Sequence, residues 1–119
     1  MRRIVTGISC AFLSSLALAH HGWAPHYDGN AHVTVTGVIT SFEFVNPHAF
    51  VYLDVVNEAG GTETRWCEMQ ARSQLQRRGI GAEQFQIGST ITIEGFRSRR
   101  DPAGCEFGTG YFHDGTTLT

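Results

Sequence analysis

A mainly β protein, with five strands and one short helix between the third and fourth, is predicted from three features of the sequence. Runs of β-branched and aromatic residues alternate with polar ones at a period of two. Turns rich in Gly, Asn and Asp separate these runs at short intervals. One segment, residues 73–78, breaks the alternation, reads as a short helix and ends at Gly79.

The first strand is expected over residues 32–45. Val33 and Val35 share one phase, whereas Val38, Phe42 and Phe44 share the other. A β-bulge at Gly37 is therefore expected to shift the phase and bend the strand. Asn46-Pro47-His48 reads as a turn. The second strand, residues 49–56, places Val51, Leu53 and Val55 on one face. A hairpin loop over 57–61 leads to the third strand, residues 62–70, which sets Arg65, Cys67 and Met69 opposite Trp66, Glu68 and Gln70. Beyond the helix, Leu75 and Ile80 are expected to pack inward. Residues 89–96 and 105–113 give the last two strands, and Arg97, Arg99 and Arg100 read as a solvated cluster between them. The order β-β-β-α-β-β is that of a five-stranded OB-like barrel; an open β-sandwich is the alternative.

The chain is expected to be exported. Arg2 and Arg3 precede an apolar run over 4–18, and Ala17-Leu18-Ala19 supplies the small residues of a cleavage site, so residues 1–19 read as a signal peptide. The run falls short of the roughly 20 apolar residues of a membrane span and is diluted by Ser14 and Ser15, so no span is expected after cleavage. Residues 20–30, broken by Pro25 and Gly29, read as an N-terminal arm, and 31–119 as the barrel domain. Seven arginines against eleven acids leave the portion from His20 four negative charges, and the chain has no Lys. That balance argues against nucleic acid as a partner. Cleavage leaves two cysteines, Cys67 and Cys105, which in a periplasmic or secreted protein are expected to form a disulfide between strands three and five.

Ala19-His20-His21, Asn46-Pro47-His48, Arg77-Arg78-Gly79 and Asp114-Gly115 follow one another along the chain. In this the sequence resembles a family of small secreted bacterial proteins known as a domain of unknown function (number 6152). Its members look like A-H-H-S-F at the cleavage point, then T-N-P-H, a tryptophan–glutamate element, R-R-G and a closing D-G-R-T. Here Gly22-Trp23 replaces Ser-Phe, Val45 replaces Thr, and Thr116 replaces Arg. The resemblance supports export and the fold and implies no activity.

Histidine is the residue type that points to chemistry. Cleavage after Ala19 would free the amine of His20, which could then chelate a metal through amine and imidazole together. A nitrogen-rich planar site favours Cu(II). His48, on the turn after the first strand, is the candidate second ligand, with His21 or His26 as a third; His32 and His113 read as surface residues. The bland alternative is that these imidazoles are solvated and that the Asn-Pro-His turn is only a turn. Phe50, Tyr52, Trp66 and Glu68 form a second candidate, a ligand-binding aromatic face, against which stands a purely structural aromatic closure of one barrel end. Glu68 is expected either in water or paired with Arg65, Arg72 or His48. Neither a nucleophile–base set nor a Gly-rich phosphate loop is present. The expectation is thus a small exported binding protein rather than an enzyme, holding a copper ion. Its alternative is a metal-free accessory module that binds a small molecule or another exported protein on the aromatic face.

Overall fold

A computed structural model describes residues 22–119; the expected signal peptide, His20 and His21 lie outside the described residues. The elements are β1 (Tyr27–Glu43), β2 (Phe50–Val56), β3 (Thr62–Glu68), α1 (Arg72–Arg77), a 3-10 turn (Ala82–Gln84), β4 (Thr90–Ser98), β5 (Gly104–Phe112) and β6 (Thr117–Leu118). The protein is mainly β. Antiparallel pairing gives the order β3-β2-β1-β4-β5-β6, and β3 also pairs with β5. That last pairing is parallel and short, joining Trp66, Cys67 and Glu68 to Gly104, Cys105 and Glu106.

The period-two pattern decides what is buried. Val51 and Leu53 of β2, Cys67 of β3, Ile91 and Ile93 of β4 and Cys105 of β5 form the core with Val35 and Ile39 of β1. Met69, Leu75 and Ile80 continue it under α1. Gln74 accepts the Ala71 N–H at the start of the helix, and Gly79, at a φ of 76°, ends it. Phe85, from the segment after the 3-10 turn, plugs one end of the core. It stacks on Phe42 at 4.1 Å and meets Phe112 edge-on at 5.5 Å.

The bulge expected at Gly37 is not there. The β1–β4 ladder runs unbroken from His32 to Val38, and the register of β1 against β2 shifts between Ile39 and Ser41 instead. Val33, Val35, Gly37 and Ile39 therefore share the inward phase. Ile39 is 0% exposed, and Val38, which the expected bulge put in phase with Phe42 and Phe44, is 40% exposed. Gly37 is needed for space. A Cβ there would lie 2.6 Å from the Asp54 carbonyl oxygen and 2.9 Å from Val55 Cγ2.

Two further differences matter for the site. β1 begins at Tyr27 rather than at residue 32, because Tyr27 and Asp28 pair with Ser98 and Arg97 across a second irregularity. Of the cluster read as solvated, Arg99 instead ties down the chain at the start of β1: it donates through Nε to the carbonyls of Ala24 (3.0 Å) and Tyr27 (3.2 Å) and pairs with Asp28 at 3.2 Å. The Cys67–Cys105 disulfide is present, between directly paired residues with Cα atoms 4.5 Å apart. Among the described residues no helix is long and apolar enough to cross a membrane.

Candidate functional site

The short β3–β5 ladder sets Glu68 and Glu106 side by side. Both lie at positions alternate to the inward cysteines, so their carboxylates sit on the outer surface of that pairing. Two carboxylates placed opposite each other repel, and each is met by donors from elsewhere in the chain. The Tyr27 hydroxyl donates to Glu68 Oε2, and the Trp23 indole N–H donates to Glu106 Oε2. His48 Nδ1 contacts the remaining oxygen of Glu68, Oε1.

Local sequence explains why these groups converge. Residues 22–27 fold back on themselves, with the His26 and Tyr27 N–H groups both donating to the Trp23 carbonyl. Trp23 then packs edge-on against Phe96 at 5.3 Å, and Arg99 fixes the segment from below. On the other side, the Asn46 side chain accepts the Ser73 N–H at 3.1 Å and so fastens its turn to the first turn of α1. The Asn46–Pro47 peptide bond is cis, and His48 follows it, exposed, beside Glu68.

Between the arm and the turn lies a cavity of about 440 Å³. His26, His48, Tyr27, Glu68, Met69 and Glu106 line it, and Gly22, the first described residue, lies on its rim. Burial comes first in raising the Glu106 pKa above its ordinary 4.5; the neighbouring Glu68 charge adds to this and the Trp23 N–H opposes it. Tyr27 is pushed well above the usual phenol value, by burial first and then by its bond to Glu68, so it stays a neutral donor. Among the described residues no group of three or more His, Cys, Asp or Glu side chains is placed to hold a metal ion. A larger cavity, of about 640 Å³, contains none of the candidate histidines.

The structure thus brings His26, His48 and Glu68 together and leaves the aromatic residues outside. Phe50 and Trp66 meet edge-on at 6.0 Å and Tyr52 lies beside Phe50. Trp66 donates its indole N–H to Asp101 at 2.8 Å and lies over Gly104, where a Cβ would fall 2.2 Å from the ring. Its place is to clamp the loop before β5. The Ala103 N–H and the Trp66 indole hold the Asp101 carboxyl below its ordinary value. His32 packs at a tilt against Phe96, ring centroids 4.7 Å apart, and it and His113 are exposed, both away from the cavity. Trp23, Tyr27 and Glu106 were not singled out from the sequence. Glu106 and Trp23 stand 83 positions apart, and only the β3–β5 register, marked by the cysteine pair, could have placed Glu106 beside Glu68.

The model of a family of unknown function (DUF6152) matches residues 9–106 of this chain. No curated protein matches it.

Proposed function

We propose, for a chain that belongs to the DUF6152 family and takes no activity from it, that this is an exported binding protein holding a copper-type ion at the cavity beside His48. The observation that carries the reading is the position of Gly22 on the rim of the cavity that His26 and His48 line. At about 3.8 Å per residue, His20 Cα lies within about 8 Å of Gly22 Cα. Cleavage at Ala19 would leave the His20 amine and imidazole on a chain length short enough to enter the same space. Glu68 supports His48 in the manner of a carboxylate behind a ligating imidazole: engaged at Nδ1, the ring offers Nε2 to an ion. His21 or His26 supplies a further nitrogen, and the two carboxylates offset the charge of the cation. Such a nitrogen-rich set suits Cu(II). The Cys67–Cys105 disulfide supports a periplasmic or secreted location. The ring of pairings from β1 through β2, β3, β5 and β4 back to β1 supports an OB-like barrel as the fold beneath the site.

Calorimetric titration with Cu(II) tests this on protein starting at His20, on protein with one extra residue before it, and on His48→Ala. The extended start loses the terminal chelate and His48→Ala loses the imidazole, so both should bind more weakly; His113→Ala should match the parent. Equal affinities in all four would remove the site and shift the reading to a metal-free accessory module.

A further inference from the structure

The plug of Phe85 closes one end of the core, and the opposite end is built differently. There the core-facing register positions are taken by arginines. Arg65 stands opposite Leu53 and two residues from Cys67, both buried. Arg97 stands opposite Cys105 and two residues from Gly95, which is also buried. The strands therefore carry an apolar inner face that ends in two guanidinium groups. They share a cavity of about 640 Å³ with Val33, Val35, Glu63 and Gly104.

The two arginines are not equivalent. Arg65 Nε lies 2.9 Å from Glu63 Oε1, a close ion pair whose buried N–H is not aligned as a hydrogen bond. Arg65 also donates through Nη1 to the Pro102 carbonyl at 2.7 Å. Arg97 has no hydrogen bond or ion pair from its side chain among the described residues. Its cross-strand neighbour Asp28 is engaged by Arg99. With Glu63 set against Arg65, the Arg97 guanidinium is the charged group lining this cavity that is left without a partner among the described residues, next to Val33 and Val35.

We infer that this open end is a binding site for a monoanionic carboxylate carrying an apolar tail. The carboxylate pairs with the Arg97 guanidinium, whose planar fork matches it. The tail enters against Val33 and Val35. A single unpartnered guanidinium suits a carboxylate better than a phosphate dianion, and the apolar wall gives a purely ionic ligand nothing to bury. Mouths of β-barrels and apolar clefts with a few convergent polar groups are the usual setting for such ligands. This site is separate from the histidine cavity and stands without it.

The experiment is a titration of the metal-free protein with octanoate, 1-octanol and inorganic phosphate, read by the amide resonances of Val33 and Val35 and by calorimetry. Octanoate should bind and shift both resonances, with octanol and phosphate each at least about tenfold weaker, as loss of a charge-assisted pair or of the apolar contact requires. Arg97→Gln should weaken octanoate by at least about tenfold while leaving the melting temperature unchanged, because Arg97 is exposed and anchors nothing. Arg97→Lys should recover part of the loss. The proposal is overturned if octanoate does not bind, if octanol or phosphate binds as tightly, if Arg97→Gln leaves affinity unchanged, or if the shifts fall away from Val33 and Val35.

Discussion

Replacing Cys67 and Cys105 together by alanine should destabilise the domain by about 4 kcal/mol, and the loss should appear first at one seam. The disulfide spans 38 residues, and loop-closure entropy at that length is worth about 4 kcal/mol at 25 °C. Both sulfurs are buried, Cys67 at 0% and Cys105 at 2% exposure, so truncation adds a small packing loss. For a domain of this size that corresponds to a fall in Tm of about 15–30 °C. The seam follows from the register. The β3–β5 ladder has only three residue pairs, with the cysteines in the middle. Without the crosslink, the Trp66–Glu68 segment is held to β5 by little besides the Trp66 clamp. The assay is thermal unfolding without reductant, with hydrogen exchange resolved along β3 and β5. Amides of residues 66–68 and 104–106 should exchange faster than those of the β1–β4 ladder. Glu68 and Glu106 form the third pair, so any copper affinity should fall as well. A drop in Tm below about 5 °C, with exchange at the seam unchanged, would refute the reasoning.

Gly37→Val should lower stability by about 1–3 kcal/mol through overpacking, since its Cβ would press on the Asp54 carbonyl; an unchanged denaturation midpoint would count against the close approach. Glu106 has a raised pKa, so the stability it allows is full below the ordinary value of 4.5 and is lost as pH rises through the raised one. Glu106→Gln should therefore melt close to the parent in acid and above it at neutral pH; a Tm gap that stays constant or closes on going from acid to neutral would contradict this. Arg99→Ala should release the arm at a stability loss of no more than about 1 kcal/mol, its ion pair being solvent-screened. In a Trp66→Phe background, Trp23 fluorescence should then shift to the red, and an unshifted spectrum would show that Arg99 does not hold the arm.

How far the sequence could be read depended on the range of the interaction concerned. Alternation set Val51 and Leu53 on one face and Cys67 opposite Trp66 and Glu68, because a half-buried strand imposes its period residue by residue. The glycine at the helix end and the cysteine pair were equally legible. Gly37 was not, since a glycine that interrupts an apolar phase looks the same whether it forms a bulge or admits a neighbouring backbone. Ile39 carried the information: it continues the phase of Val33 and Val35 past the glycine. The start of β1 at Tyr27 rests on pairing with β4, some seventy positions away along the chain, and nothing local announces it. At the site, His48 and Glu68 were visible as residue types. Their meeting with Tyr27, and Trp23 with Glu106, depends on a return of the arm that Arg99 enforces from a loop read as solvated.

That return has a consequence for how the cavity can work. Taken alone, the β3–β5 seam places two carboxylates beside each other, an arrangement that repels. The arm answers with two neutral donors, a phenol held protonated by burial and an indole N–H, each taking one oxygen. Neutral donors leave the negative charge in place while fixing where it points. The cavity therefore combines fixed acidic charge with an imidazole whose outer nitrogen is unengaged by Glu68, and Gly22, Trp23 and His26 of the arm complete its wall. A cation site of the kind proposed would depend on the arm as well as on the sheet. Removing residues 20–26 should leave the core folded, since its buried residues begin at Tyr27, yet it should abolish Cu(II) binding. A shortened protein that folds and still binds the ion with the parent's affinity would show that the seam and His48 suffice without the arm.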